Sequence, residues 1–123
     1  MKQIVLDITP IPAPRLNANS RFNPKKKPIF DRYMQWKQDI QILALAAGWK
    51  PTDEIRVVFV VPMPKSWPKK KRLDMDGQPH QQTPDRNNLT KALEDALYHN
   101  DSRVWKSSEE KRWGARGQII ILQ

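Results

Sequence analysis

Cysteine is absent from all 123 residues. That excludes disulfides, thiolate metal sites and a cysteine nucleophile, and it suits a reducing cytoplasm. Long apolar runs are missing too. None approaches the roughly 18 residues a membrane span requires, and Asp7 interrupts the stretch where a secretory leader needs continuous apolar residues. The expectation is a soluble, unprocessed, cytoplasmic protein. Acidic residues are scarce: 13 Asp and Glu stand against 22 Lys and Arg, a net charge of +9. Cationic surface at this density displaces condensed counterions from a phosphate backbone, so nucleic acid is the leading partner on electrostatics alone. The plainer account is charge that keeps a protein dissolved. An anionic membrane fits less well, because no basic amphipathic helix carries a large apolar face.

The length corresponds to one domain, residues 1–123, and no internal repeat or linker divides it. A chain this short buries only about two thirds of its unfolded surface, for which dimerisation is a natural remedy. Gln3 to Ile8 nearly alternates and predicts a half-buried strand. Pro10, Pro12 and Pro14 end it, and Arg15 to Pro28 is expected to be a loop. Asp31 resembles a helix N-cap. Tyr33, Trp36, Ile40, Leu43, Ala44 and Ala47 then recur at helical spacing up to Gly48. The β-branched run Ile55 to Val61 predicts a central strand buried on both faces. Pro62 to Pro84 is a long polar loop, and Asn88 to Tyr98 a second helix with Leu89, Leu93, Ala96 and Leu97 inward. Val104 to Trp113 and Gln118 to Leu122 suggest a hairpin turning through Gly114 to Gly117. The order β, α, β, α, β, β fits an α+β fold: a small mixed sheet of about four strands with two main helices packed on one face.

The segment richest in chemistry runs Thr83-Pro84-Asp85-Arg86-Asn87-Asn88-Leu89-Thr90-Lys91, continues through Asp95-Ala96-Leu97, and is followed by Asn100-Asp101-Ser102-Arg103-Val104. Asp85 precedes a helix, and Asn88, Lys91 and Asp95 share one helical face away from the leucines. A fold-back would carry Asp101 toward Asp85. Carboxylates and a carboxamide beside a lysine suit a hard cation such as Mg²⁺, which takes oxygen ligands and retains water. Each residue also has a plain structural explanation. Asp85 can form an Asx turn, Asn87 or Asn88 can cap, and Lys91 with Asp95 can form an ordinary i,i+4 pair.

This segment resembles the signature of the RusA family of Holliday junction resolvases, roughly Pro-Asp-x-Asp-Asn-Leu-x-Lys, then Asp-Ala-Leu, then a turn with Asp-Asp or Asn-Asp before a strand. The likeness extends to Pro62-Met63-Pro64-Lys65-Ser66-Trp67, Lys69 to Arg72, Gly77-Gln78-Pro79-His80, Pro12 to Arg15 and the helix from Arg32, so it covers nearly the whole chain and has the flavour of phage and prophage members. The resemblance implies a homodimer in a bacterial cytoplasm that cuts four-way DNA junctions by paired nicks with Mg²⁺, Mn²⁺ being a possible substitute. Carried over by position, Asp85, Lys91 and Asp101 are the catalytic residues. Asp85, Asn87 and Asp101 are the metal ligands, with Asn88 and Asp95 in support. Two departures stand out. Asn87 occupies the family's second acidic position and supplies an oxygen without its charge, and the link from Leu97 to Asp101 is short. A catalytically impaired junction-binding protein is therefore the alternative to an active enzyme.

Basic clusters near aromatics suit phosphate contacts combined with stacking on unpaired bases. Lys25, Lys26 and Lys27 lie by Phe22 and Phe30, and Lys69, Lys70, Lys71 and Arg72 lie by Trp67. Arg15, Arg21, Lys65 and Arg86 complete the candidate DNA contacts. Each cluster is equally readable as a solvated charge run. His80 is a weak candidate for a phosphate contact. Trp36 and Trp49 are expected in the core or a dimer interface, and Trp105 and Trp113 between subunits.

Overall fold

A computed structural model of the chain describes residues 2–15, 17, 19–99 and 101–123, the side chain of Asp101 excepted. Four strands form one mixed sheet: β1 (Gln3–Leu6), β2 (Glu54–Pro62), β3 (Lys106–Gly114) and β4 (Gln118–Leu122). Three α-helices accompany them: α1 (Lys27–Ala46), α2 (Lys69–Met75) and α3 (Arg86–Leu97), with 3-10 turns at Ser20–Phe22 and Asp101–Arg103. The α+β expectation holds.

The strand order is β1-β4-β2-β3, so β3 and β4 do not form the expected hairpin. β4 pairs antiparallel with both β1 and β2, while β3 pairs parallel with β2 on its other side. Composition explains the exchange. β4 reads Gln-Ile-Ile-Ile-Leu and needs neighbours on both edges. β3 reads Lys-Ser-Ser-Glu-Glu-Lys-Arg-Trp-Gly and tolerates the outside, where charge also discourages unwanted strand pairing. With β4 reversed, β1, β2 and β3 all point the same way. The segments that lead into α1 and α3 therefore leave the sheet from one edge, the carboxyl ends of β1 and β2.

Burial on β2 alternates rather than covering both faces. Ile55, Val57 and Phe59 are buried, whereas Val58 and Val60 are only half-buried and Arg56 is exposed. The helices cover one face only, which is why a β-branched run is not buried throughout. On the covered face Ile4, Leu6, Ile55, Val57, Phe59, Ile119 and Ile121 meet Tyr33, Trp36, Ile40 and Ala44 of α1 and Leu89, Ala92, Leu93 and Ala96 of α3.

Helix α1 starts four residues ahead of the expected cap. Pro28 sits in its first turn, where a missing N–H costs nothing, and Asp31 instead pairs with Lys27 at 2.9 Å. Its end is as expected: Gly48, at φ 80°, takes the left-handed conformation that glycine adopts without a side-chain clash.

The stretch after β2 is the largest departure. It holds α2, which carries Lys69 to Arg72 and buries no residue, so no apolar periodicity announced it. Beyond α2 the chain is stitched along the free edge of β3. Gly77 N–H donates to the Trp113 carbonyl, Trp113 N–H to Gln78 and His80 N–H to Lys111, each at 2.9 Å. Pro79 and Arg112 form an isolated bridge. Trp113 is buried against Trp67 and His80, with ring centroids 4.8 and 4.3 Å away, rather than presented to another subunit. Trp105 is 70% exposed.

Candidate active site

The candidate site is built on the first two turns of α3. Asp85 is the N-cap residue, in an extended conformation (φ −69°, ψ 145°), yet its carboxylate makes no capping hydrogen bond. An Asp in this position ordinarily accepts an N–H from the first turn. Here the carboxylate is exposed and keeps its oxygens for another partner. The helix instead begins through backbone contacts: Leu89 N–H donates to the Asp85 carbonyl at 3.1 Å, and Thr90 Oγ1 donates to the Arg86 carbonyl at 3.0 Å. Asn87, Asn88 and Lys91 are exposed. Asn87 and Lys91 are one helical turn apart and so share one face of α3, on the turns that follow Asp85. Buried Leu89 and Leu93 anchor its opposite side. The N-terminal proline segment runs alongside, with Ala13 N–H donating to the Asn88 carbonyl at 3.1 Å.

The i,i+4 pair between Lys91 and Asp95 does not form: Lys91 makes no ion pair among the described residues. Asp95 turns toward α1, where Tyr33 donates its hydroxyl to Asp95 Oδ2 at 3.0 Å. Burial, then this hydrogen bond and the negative charge of Asp95, push the Tyr33 phenol well above its ordinary range. The pair ties α1 to α3 and sets Asp95 apart from the Asp85 group.

The segment that leads into Asp85 is contacted by Lys111 on β3. Its ammonium donates to the Gln82 carbonyl at 2.6 Å and to the Pro84 carbonyl at 2.8 Å. His80, packed beside Trp113, is almost fully buried, and its Nδ1 has no hydrogen-bond partner among the described residues. Burial, then the Lys111 charge, lower its pKa, which favours a neutral ring. His80 thus serves packing rather than phosphate contact. Neither Tyr33 nor Lys111 stood out in sequence. Tyr33 looked like one more core residue of a helix, and Lys111 sits in a charged Glu-Glu-Lys-Arg run with nothing to distinguish it.

Asp101 opens the 3-10 turn Asp101–Arg103, and its side chain lies outside the described residues. The chain leaves α3 at Leu97, about 18 Å along the helix from Asp85 at 1.5 Å per residue. The turn's far side is tied to the start of β2: Arg103 Nε meets Asp53 Oδ1 at 2.6 Å, and Trp105 N–H donates to the Asp53 carbonyl at 3.0 Å. Asp85, Asn87, Asn88 and Lys91 are therefore grouped at one end of α3, and the turn holding Asp101 follows the other end.

The basic candidates occupy two segments that follow the carboxyl ends of β1 and β2. Around Ser20–Phe22, Arg15, Lys25 and Lys26 are exposed, and Arg21 lies 4.7 Å over the Phe22 ring. Lys27 is partly neutralised by Asp31. Near α2, Lys65, Lys69 and Lys70 are exposed, Lys71 stands 4.3 Å over Trp67, and Arg72 donates to the Pro64 carbonyl at 2.9 Å. Arg86, at the first position of α3, is exposed, and the first turn contains no acid to offset it.

The donor chemistry of Asp85 and Asn87, one free carboxylate and one carboxamide oxygen, matches a hard dication that keeps most of its water. Among the described residues, no three acids or histidines converge. Among them also, no helix is long and apolar enough to cross a membrane.

Together these features define a small basic α+β domain that offers a free carboxylate, amides and a lysine at the start of one helix, the outfit of a protein that handles phosphodiesters. The family model for the endodeoxyribonuclease RusA matches residues 7–122, and the chain belongs to that family. No curated protein and no solved structure matches it.

Proposed function

We propose that the protein is a Mg²⁺-dependent endonuclease that resolves Holliday junctions and other branched DNA by paired nicks during recombination and repair. Family membership supplies the reaction class. The observation that carries the site assignment is the Asp85 carboxylate, which occupies a capping position without capping. In this reading Asp85 and Asn87 hold the metal; Asp101 is assigned to them on the family signature alone, since its turn follows the far end of α3. Mn²⁺ is a competent substitute. The bound ion supplies a water of lowered pKa and positive charge against the phosphate.

The chain's own residues do the rest. Lys91, whose ammonium has no ion-pair partner among the described residues, faces the developing charge and stabilises it electrostatically. Asn88 supports the polar face beside it, and Asp95, held by Tyr33, keeps α3 seated on α1. Arg86 and the α3 N-terminus, with its partial positive charge, hold the phosphate backbone. Arg15, Arg21, Lys25, Lys26, Lys27, Lys65, Lys69, Lys70, Lys71 and Arg72 receive the arms of the junction through counterion release. A homodimer would set two such sites about a dyad, as two opposed cuts in a near-two-fold substrate require. A bacterial cytoplasm, with a phage or prophage gene, is the setting this implies.

Asn87 favours a second reading, a protein that binds junctions but cuts them poorly, since an amide contributes no charge to the metal. One experiment addresses both. Wild type and Asn87→Asp are titrated with Mg²⁺ on a synthetic four-way junction, with Asp85→Asn and Asp101→Asn as controls. The enzyme reading expects nicking by wild type and a lower Mg²⁺ requirement for Asn87→Asp. Nicking by Asn87→Asp alone, with tight junction binding by both, favours the binding reading. If neither protein cuts, the nuclease reading fails.

A further inference from the structure

Beyond the residues that face substrate, the route by which Asp85 is delivered to the helix is itself built from specific contacts. The chain from Gly77 to Pro84 lies along the outer edge of β3 and is held by backbone hydrogen bonds as far as His80. From Gln81 on, backbone pairing to β3 stops, among the described residues. The remaining link to β3 is the side chain of Lys111, whose Nζ reaches the carbonyls of Gln82 and Pro84 at 2.6 and 2.8 Å. The residue after Pro84 is Asp85. A lysine ammonium has three donors and no acceptor, and two of them are committed here. These charge-assisted bonds are stronger than those between neutral groups. Lys111 is also half-buried, so water competes with them less than at an open surface.

We propose that Lys111 is a positioning residue: by clamping the Gln82 and Pro84 carbonyls it fixes the direction in which the chain enters α3, and so holds the Asp85 carboxylate outward, off its own helix. The assignment of metal binding to Asp85 rests on the function proposed above. The clamp itself does not. Without the ammonium, two carbonyls lose their partner, the turn relaxes, and Asp85 is released to take up the ordinary capping bond that competes with metal binding.

The test uses Lys111→Met, which keeps the length and apolar stem, and Lys111→Arg, which keeps the charge. Hydrogen–deuterium exchange of the peptide spanning residues 82–90 reads the clamp directly, because the Leu89 amide bonded to the Asp85 carbonyl lies within it. Mn²⁺ binding followed by electron paramagnetic resonance reads the site without turnover. Expected for Lys111→Met is faster exchange confined to this peptide, a roughly tenfold weaker Mn²⁺ affinity, the usual scale for losing a ligand's supporting partner, and junction affinity in EDTA within about threefold of wild type. Lys111→Arg recovers most of both losses.

Unchanged exchange in residues 82–90 overturns the proposal whatever the enzyme does. So does global loss of structure in Lys111→Met, because the residue would then support the whole fold. A large loss of junction affinity with unaltered Mn²⁺ binding overturns it in favour of a DNA contact. Altered exchange in a protein whose wild type binds no Mn²⁺ keeps the clamp and removes the metal reading instead.

Discussion

At the scale of single residues, the start of α3 differs from an ordinary helix start by a hydrogen bond that is not made. Asp85 and Lys91 each had a routine explanation in sequence, a cap and an i,i+4 pair, and neither interaction forms. Lys91→Met should therefore leave stability nearly unchanged while lowering the cleavage rate by roughly 10²-fold, the usual cost of removing an electrostatic stabiliser. Single-turnover nicking at saturating Mg²⁺ measures it. Tyr33 presents the opposite case. Tyr33→Phe removes the bond to Asp95 and should cost about 1 kcal/mol, seen as a lower midpoint in urea with little change in junction affinity. His80 has a pKa lowered in the folded state by burial and Lys111. As pH falls below about 6.5, the unfolded chain takes up the proton before the folded one does, so stability declines until the lowered folded value is reached. Urea unfolding from pH 7 to 5 should show that decline in wild type and a flatter profile in His80→Phe.

At the scale of elements, legibility followed apolar periodicity. α1 and α3 were readable because Tyr33, Trp36, Ile40 and Ala44, and Leu89 and Leu93, repeat at helical spacing and are buried. α2 was not, because it buries nothing and its formation rests on the helix propensity of Lys, Arg, Leu and Met. The partner of β4 was not readable either: a Gly-rich turn between two strands looks like a hairpin, and only the contrast between charged β3 and apolar β4 distinguishes an outer from an inner strand. The helical residues of the candidate site stood out in sequence because one short motif carries them. Lys111 was not, since its role depends on which segment lies along β3. The cations Lys69 to Arg72 occupy the first turn of α2. Replacing Lys69, Lys70, Lys71 and Arg72 with Gln should reduce the slope of log affinity against log salt by up to about 3 to 4. Fluorescence anisotropy with junction DNA across a salt series measures the change.

At the scale of the molecule, the helices cover only one side of the sheet. On the other, Val5, Ile120 and Val58 lie side by side across β1, β4 and β2, and Val5 is 43% exposed. If this face joins two copies, Val5→Glu should shift the protein toward monomer in sedimentation velocity without unfolding it. The strand order has a further consequence. Among the described residues β1 has no strand neighbour except β4, more than a hundred residues away in sequence. During synthesis Gln3–Leu6 must wait, with Ile4 and Leu6 uncovered, until Gln118–Leu122 emerges from the ribosome. Contacts so remote in sequence slow folding and lengthen the time that sticky surface is on view. Pairing of β1 therefore waits on synthesis of all the other described elements, and chaperone demand should track β4 rather than α3.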